Sequence, residues 1–156
     1  MRIWRIAIAA LDAFDGEGAR RYGSRWTPKG VAVVYASATL SLAALERFVH
    51  TDPDLEPPDL VAVAVDADSA IPVQSLDPGA LPADWRTYPA PESLAHFGAQ
   101  WVTSAGTAIL AVPSAVIPHE RNYLLNPAHS DFGRLMIGSP EPFSFDPRMW
   151  GERRAQ

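Results

Sequence analysis

The sequence predicts an α+β domain. Short apolar runs of strand character recur along the chain, two longer segments carry helical periodicity, and the spacing between them lacks the regular β-α-β alternation of a doubly wound sheet. At 156 residues, 47% hydrophobic and 20% charged, the chain is long enough to bury a core and is read as one domain, residues 1–156. No internal repeat, low-complexity tract or dividing linker interrupts it.

The stretch RIWRIAIA, Arg2 to Ala9, sets Ile3, Arg5 and Ala7 on one side and Trp4, Ile6 and Ile8 on the other, which is the period of a strand. Arg5 therefore leaves its strand on the face opposite Trp4. Asp15 to Gly18 reads as loop, Ser24 to Trp26 as extended chain before a turn at Pro28 and Gly30, and VAVVYA as a buried strand. SATLSLAALERFVH is built of strong helix formers, with Ser37 as a plausible N-cap and Pro53 setting the end. DLVAVAVD is a strand, and Ala70 to Pro91 is a turn-rich connection punctuated by Pro72, Pro78, Gly79, Pro82 and Pro89. PESLAHFGAQWVTSAG makes a second helix, with Pro91 at its first position and Gly106 at its end. TAILAVPSAVIP is a strand that stops at Pro113, because proline has no N–H for the ladder. RNYLLNPAHSDF reads as a short helical turn and loop, and RLMIG and PFSFDP as late strands.

The formal net charge is −5, but it is unevenly spread. Through Gly30, Arg2, Arg5, Arg20, Arg21, Arg25 and Lys29 face only Asp12, Asp15 and Glu17, whereas Asp52 to Glu92 is strongly acidic with Arg86 its single cation. A cationic N-terminal third suits a small anionic ligand; an acidic whole argues against nucleic-acid binding. Of the 13 basic residues only Lys29 is lysine; arginine suits bidentate phosphate binding, and genome composition accounts for the excess equally well. The absence of cysteine excludes disulfides, thiolate metal sites and thiol catalysis, and fits a reducing compartment, with cytoplasm the default. Arg5 and Asp12 interrupt the apolar start, so neither a signal peptide nor a membrane helix is expected.

Several residues are candidates for chemistry. Arg20, Arg21 and Arg25 stand among Gly16, Gly18, Gly23 and Gly30, which would let backbone approach a phosphate, although the spacing matches no Walker or dinucleotide fingerprint and a solvated basic loop explains it as well. On a helical wheel Glu46 lies at the edge of the apolar arc, between Leu42 and Val49 on one side and Thr39 and His50 on the other. There it is either a solvated carboxylate paired with His50 or a cleft carboxylate able to stabilise an oxocarbenium-like ribose. Tyr35 closes a buried strand and fits either core packing or stacking on an aromatic ligand. Ser114, after Pro113, can present a hydroxyl at a strand end but lies in no nucleophile elbow. His50, His96, His119 and His129 have no metal-binding spacing, and no metal site is expected.

Taken together, WRI, GEGARRYGSRW, VVYAS, LAALERFVH, VPSAV and NYLLNPAHSDF resemble, in order, blocks of the RES-domain family, the toxins of RES and Xre type II toxin-antitoxin systems. The resemblance implies a fold related to ADP-ribosyltransferases, with short mixed strands in two small sheets and flanking helices. It implies cleavage of the nicotinamide–ribose bond of NAD by hydrolysis or phosphorolysis, as a growth-arresting glycosidase-type hydrolase, with ADP-ribosylation of a protein as the alternative. A catalytically silent nucleotide- or partner-binding module is the alternative of another class. The positions matching the family's functional residues are Arg5, Arg25, Tyr35, Glu46 and Ser114. On this reading Arg5 and Arg25 hold the pyrophosphate, Tyr35 packs against nicotinamide or its ribose, Glu46 stabilises the ribosyl cation, and Ser114 bonds the ligand or fixes Glu46. Arg5, Tyr35, Glu46 and Ser114 form the implied catalytic set, and Arg5, Arg25, Tyr35 and Ser114 the implied NAD contacts. NAD is then substrate, with no separate cofactor. An Xre-like helix-turn-helix antitoxin and a homodimer are the implied partners, with no direct nucleic acid and no membrane. Ser24 and Thr27 depart from the Gly and Asn that many relatives carry around the Arg-Trp pair, which bears on local loop detail.

Overall fold

The computed structural model describes residues 1–11, 13–52 and 59–150. Its strands are β1 (Arg2–Ile8), β2 (Val34–Ser37), β3 (Leu60–Asp66), β4 (Val73–Ser75), β5 (Ile109–Pro113), β6 (Arg121–Leu125), β7 (Met136–Ile137) and β8 (Glu141–Phe143), and its helices α1 (Glu17–Tyr22), α2 (Leu40–Val49) and α3 (Glu92–Ser104). The strands form one hydrogen-bonded sheet in the order β4-β5-β6-β2-β1-β3-β7, with β8 also on β3; only β4–β5 is parallel. The α+β class holds. The two small sheets expected from the resemblance are continuous here, but barely: β1 and β2 share the single pair Trp4–Ser37, whereas β1 and β3 pair along seven positions from Arg2–Asp66 to Ile8–Leu60.

Strand alternation divides the core. Ile3 joins Val34, Ala36, Val65, Ile109 and Leu125 on one face. On the other, Ile6 with Trp4 and Ile8 packs under Ala43, Ala44, Leu40 and Phe48 of α2. Further along that face, Leu110, Val112 and Leu124 pack with Leu94, Phe97 and Trp101 of α3 and with Trp26. Cross-strand pairs point the same way, so Trp4, Ser37, Asn122 and Val112 form a row beneath the two helices.

Several expectations are corrected. Glu17 and Gly18, expected as part of a loop from Asp15 to Gly18, open the short helix Glu17–Tyr22: Asp15 accepts from the Glu17 N–H at 2.8 Å, and Glu17 reaches forward to Arg20 and Arg21, one turn away. Thr39, not Ser37, caps α2, accepting from Leu42 N at 3.1 Å, because Ser37 is still extended in β2. The end set by Pro53 lies outside the described residues. The turn-rich connection contains β4, and RNYLL is strand β6 rather than a helical turn. Pro91 stands just before α3, and the left-handed residue at its end is Ala105 rather than Gly106. No helix among the described residues is long and apolar enough to cross a membrane.

Candidate active site

Glu46 lies at the centre of the site. It projects from α2 toward the row Ser37–Asn122, and its Oε1 accepts from Ser114 Oγ at 2.7 Å and from Asn122 Nδ2 at 2.6 Å. His50 is not its partner. Ser114 is fully buried just beyond β5, and the Val116 and Ile117 N–H groups donate to its Oγ at 3.1 and 2.9 Å. The hydroxyl therefore has one direction left for its proton, toward Glu46. Asn122 is held on the opposite side: its Oδ1 accepts from Ser37 Oγ at 2.7 Å, and both residues are buried. The chain Ser37–Asn122–Glu46–Ser114 fixes one carboxylate oxygen, and no bond to the other is made among the described residues.

Arg5 leaves β1 on the face of Ile3, opposite the face that packs under α2. Beyond the Trp4–Ser37 pair the two strands are joined by its side chain, whose Nη1 donates to the Tyr35 carbonyl at 2.8 Å. Its Nε is buried without a partner among the described residues. Burial lowers its pKa to about 10, with Asp15 opposing the shift and Arg47 adding to it.

Tyr35 is half-buried, its ring against the α3 cluster and its hydroxyl hydrogen-bonded to Ser24 Oγ, which also meets Thr27 Oγ1 at 2.9 Å. The residues that depart from the family pattern thus hold the tyrosine. Burial raises the Tyr35 pKa, so the hydroxyl stays protonated at neutral pH.

Arg25 is placed differently from its sequence expectation. Nη1 donates to the carbonyls of Trp85 (2.6 Å) and Thr87 (3.1 Å), and Nη2 to that of Thr87 (3.1 Å). Burial lowers its pKa, while nearby Glu46 and Tyr35 favour its charge. It lies near Glu46 and fastens the 85–87 loop through its two terminal nitrogens. Arg20 and Arg21 are exposed and paired with Glu17 at 2.6 Å.

Sequence reasoning passed over Asn122 and Ser37 as site residues and over Arg47. The Asn122 signal was available: a lone amide inside an apolar strand must find partners. It was hidden because RNYLL was read as a helical turn. An open depression of about 530 Å³ between Ala80–Pro82 and Phe97 of α3 contains none of the site residues and no carboxylate or guanidinium.

A family model for the RES domain matches residues 2–146. The chain is 39% identical over 152 residues to a protein named Prs ADP-ribosylating toxin from Sphingobium sp. (strain YBL2), covering 94% of each chain. It is 35% identical over 153 residues to one named Toxin Res from Yersinia enterocolitica, covering 96% of this chain and 99% of that one. Its fold is similar to a chain in the crystal structure of the M. tuberculosis MbcT-MbcA toxin-antitoxin complex, with a TM-score of 0.73, 19% identity, and coverage of 99% of this chain and 89% of the other. A matched model across most of the chain, and relatives alike from end to end, place this chain in the RES-domain family.

Proposed function

We propose that the protein is the toxin of a toxin-antitoxin pair and that it consumes NAD by cleaving the nicotinamide–ribose bond. The observation that carries this reading is the fixed Glu46 carboxylate, one oxygen held by Ser114 and Asn122, the other unbonded among the described residues, with Arg25 and Tyr35 nearby. As the C–N bond breaks, nicotinamide departs with the electron pair and becomes neutral, and the ribosyl carbon becomes cationic. Glu46 stabilises that cation, having been oriented beforehand by its donors. Water or phosphate then adds to the ribosyl carbon and loses a proton. Arg5 binds the diphosphate, Tyr35 packs beside the nicotinamide ribose, and Arg25 holds the loop at Trp85–Thr87 over the site. NAD is the substrate, and no separate cofactor has a step in this scheme.

The similarity to a relative named for ADP-ribosylation favours a second reading, transfer to a protein target. Incubation of purified protein with NAD separates the two. Free ADP-ribose, or its phosphorylated form when phosphate is supplied, is expected from the first; labelled protein comes from the second. Glu46→Gln keeps the acceptor for Ser114 and Asn122 but removes the charge, so nicotinamide release should fall at least about 10²-fold, roughly 3 kcal/mol, with an unchanged melting temperature. Undiminished release rejects Glu46 as the catalytic carboxylate. The similarity to a chain from a toxin-antitoxin complex supports a protein antitoxin, for which an Xre-like helix-turn-helix protein is our candidate, acting on a cytoplasmic homodimer. Co-expression and size-exclusion chromatography test both.

A further inference from the structure

Asn122 carries its amide on β6, an interior strand paired at this position with Ser37 of β2 on one side and with Val112 of β5 on the other. Ser37 in turn stands at the single pair that joins β2 to β1. The amide is therefore mounted on backbone held from both flanks, and both residues are buried. Nδ2 donates to Glu46 Oε1 at 2.6 Å, and Oδ1 accepts from Ser37 Oγ at 2.7 Å. Turned over, the amide would set Oδ1 against the carboxylate and take the acceptor away from the Ser37 hydroxyl, so the network admits one orientation.

The direction of these bonds makes the two oxygens of Glu46 unequal. Oε1 accepts from Asn122 and from Ser114 Oγ, whose two lone pairs are taken by the Val116 and Ile117 N–H groups. A proton on Oε1 would meet an N–H on one side and, on the other, a hydroxyl oxygen with no lone pair free. Oε1 is confined to accepting, and any proton that Glu46 takes goes to Oε2. The terminal torsion of a glutamate is broad and roughly two-fold, so a single donor would let the carboxylate exchange its oxygens; a second donor on the same oxygen prevents it. We propose that Asn122, braced by Ser37, is a positioning residue for the reaction. It reserves Oε1 for the protein and leaves Oε2 to face the ribosyl carbon and to take the proton released when water or phosphate adds. This rests on the NAD-cleaving reading given above.

The test combines kinetics of nicotinamide release across pH with proton–nitrogen correlation spectra of side-chain amides, on the full chain as wild type, Asn122→Ala, Asn122→Asp and Ser37→Ala. Asn122→Ala should lower kcat about tenfold or more with KM within about twofold, and Ser37→Ala should lower kcat about threefold to tenfold. Asn122→Asp keeps the shape. With a proton, the introduced carboxyl still donates to Oε1; without one, it repels Glu46. Its kcat relative to wild type should therefore be highest near about pH 5 and fall about tenfold or more toward about pH 8. In the wild-type spectrum one Asn122 Nδ2 proton should lie downfield, be slow to exchange, and move in Glu46→Gln. An Asn122→Ala kcat within twofold of wild type, with NAD still cleaved, overturns the positioning role and leaves the NAD reading standing. A fallen kcat in Asn122→Ala with a wild-type pH profile in Asn122→Asp marks a merely structural residue and overturns it too, as do two ordinary Asn122 amide protons. If the downfield proton is present and moves in Glu46→Gln, yet wild type neither releases nicotinamide nor labels a protein, the positioning of Glu46 stands and the NAD reading falls.

Discussion

Ser114 shows how completely a single hydroxyl can be committed. A serine oxygen has one proton and two lone pairs; here the proton points to Glu46 and two backbone N–H groups take the oxygen. It has nothing left for a ligand or for nucleophilic attack unless it releases Glu46, so its place in the site is to position the carboxylate. Ser114→Ala should leave two amides without an acceptor and cost about 1–3 kcal/mol of stability. The same change should reduce kcat about tenfold with little effect on KM, since it loosens a group needed chiefly in the transition state. Denaturant titration and steady-state kinetics check the two halves separately. The helical wheel put Glu46 at a boundary and could not name its partners, because Ser114 is 68 and Asn122 is 76 positions away. His50, close in sequence, was the obvious neighbour and the wrong one.

At the level of elements, the site depends on how closely α3 and the Arg25 segment approach. Gly98 in α3 lies against the backbone of Trp26: a Cβ there would stand 2.1 Å from the Trp26 carbonyl oxygen and 2.8 Å from the Thr27 methyl. Only a residue without a side chain permits that contact. Gly98→Ala should push the Ser24–Thr27 turn away from the helix, costing about 1–3 kcal/mol as overpacking. By displacing Arg25 and the partners of Tyr35, it should also lower nicotinamide release. Calorimetry and an NAD assay on the same preparation read both effects, and a variant as stable and active as wild type would show that the contact is slack. The periodicity of RIWRIAIA, DLVAVAVD and LAALERFV was legible because each buries a regular face. RNYLL was not, because its alternation spans five residues and the Asn-Pro and Ser-Asp signals after it suggest a turn. That error concealed Asn122.

Over the whole molecule, the strongest surface pairs join carboxylates to arginines. Glu17 is held by Arg20 and Arg21 to a pKa of about 2, and Asp66 and Asp146 are lowered by hydrogen bonds from Arg2 and Arg148. For a carboxylate whose folded pKa is depressed, the folded state binds fewer protons than the unfolded one. Its contribution is present above the unfolded value and is lost as pH falls through the folded value. The urea midpoint should therefore change little from pH 8 to 6 and decline below about 4.5, with a shallower decline in Glu17→Gln. These pairs are exposed, so added salt at neutral pH should remove part of the same effect.

Local physics sufficed to read the α+β class, the helices around Glu46 and Trp101 and the strand carrying Arg5 from the chain alone, because burial writes a period of two or of 3.6 directly into the order of residues. The assignment of partners did not follow from that order. A guanidinium has five donors and no preference between a phosphate and a carbonyl oxygen until folding sets one of them within reach. Folding brought the Trp85 and Thr87 carbonyls to Arg25, set Asn122 and Ser114 on either side of Glu46, and left the Nε groups of Arg5 and Arg47 buried without partners among the described residues.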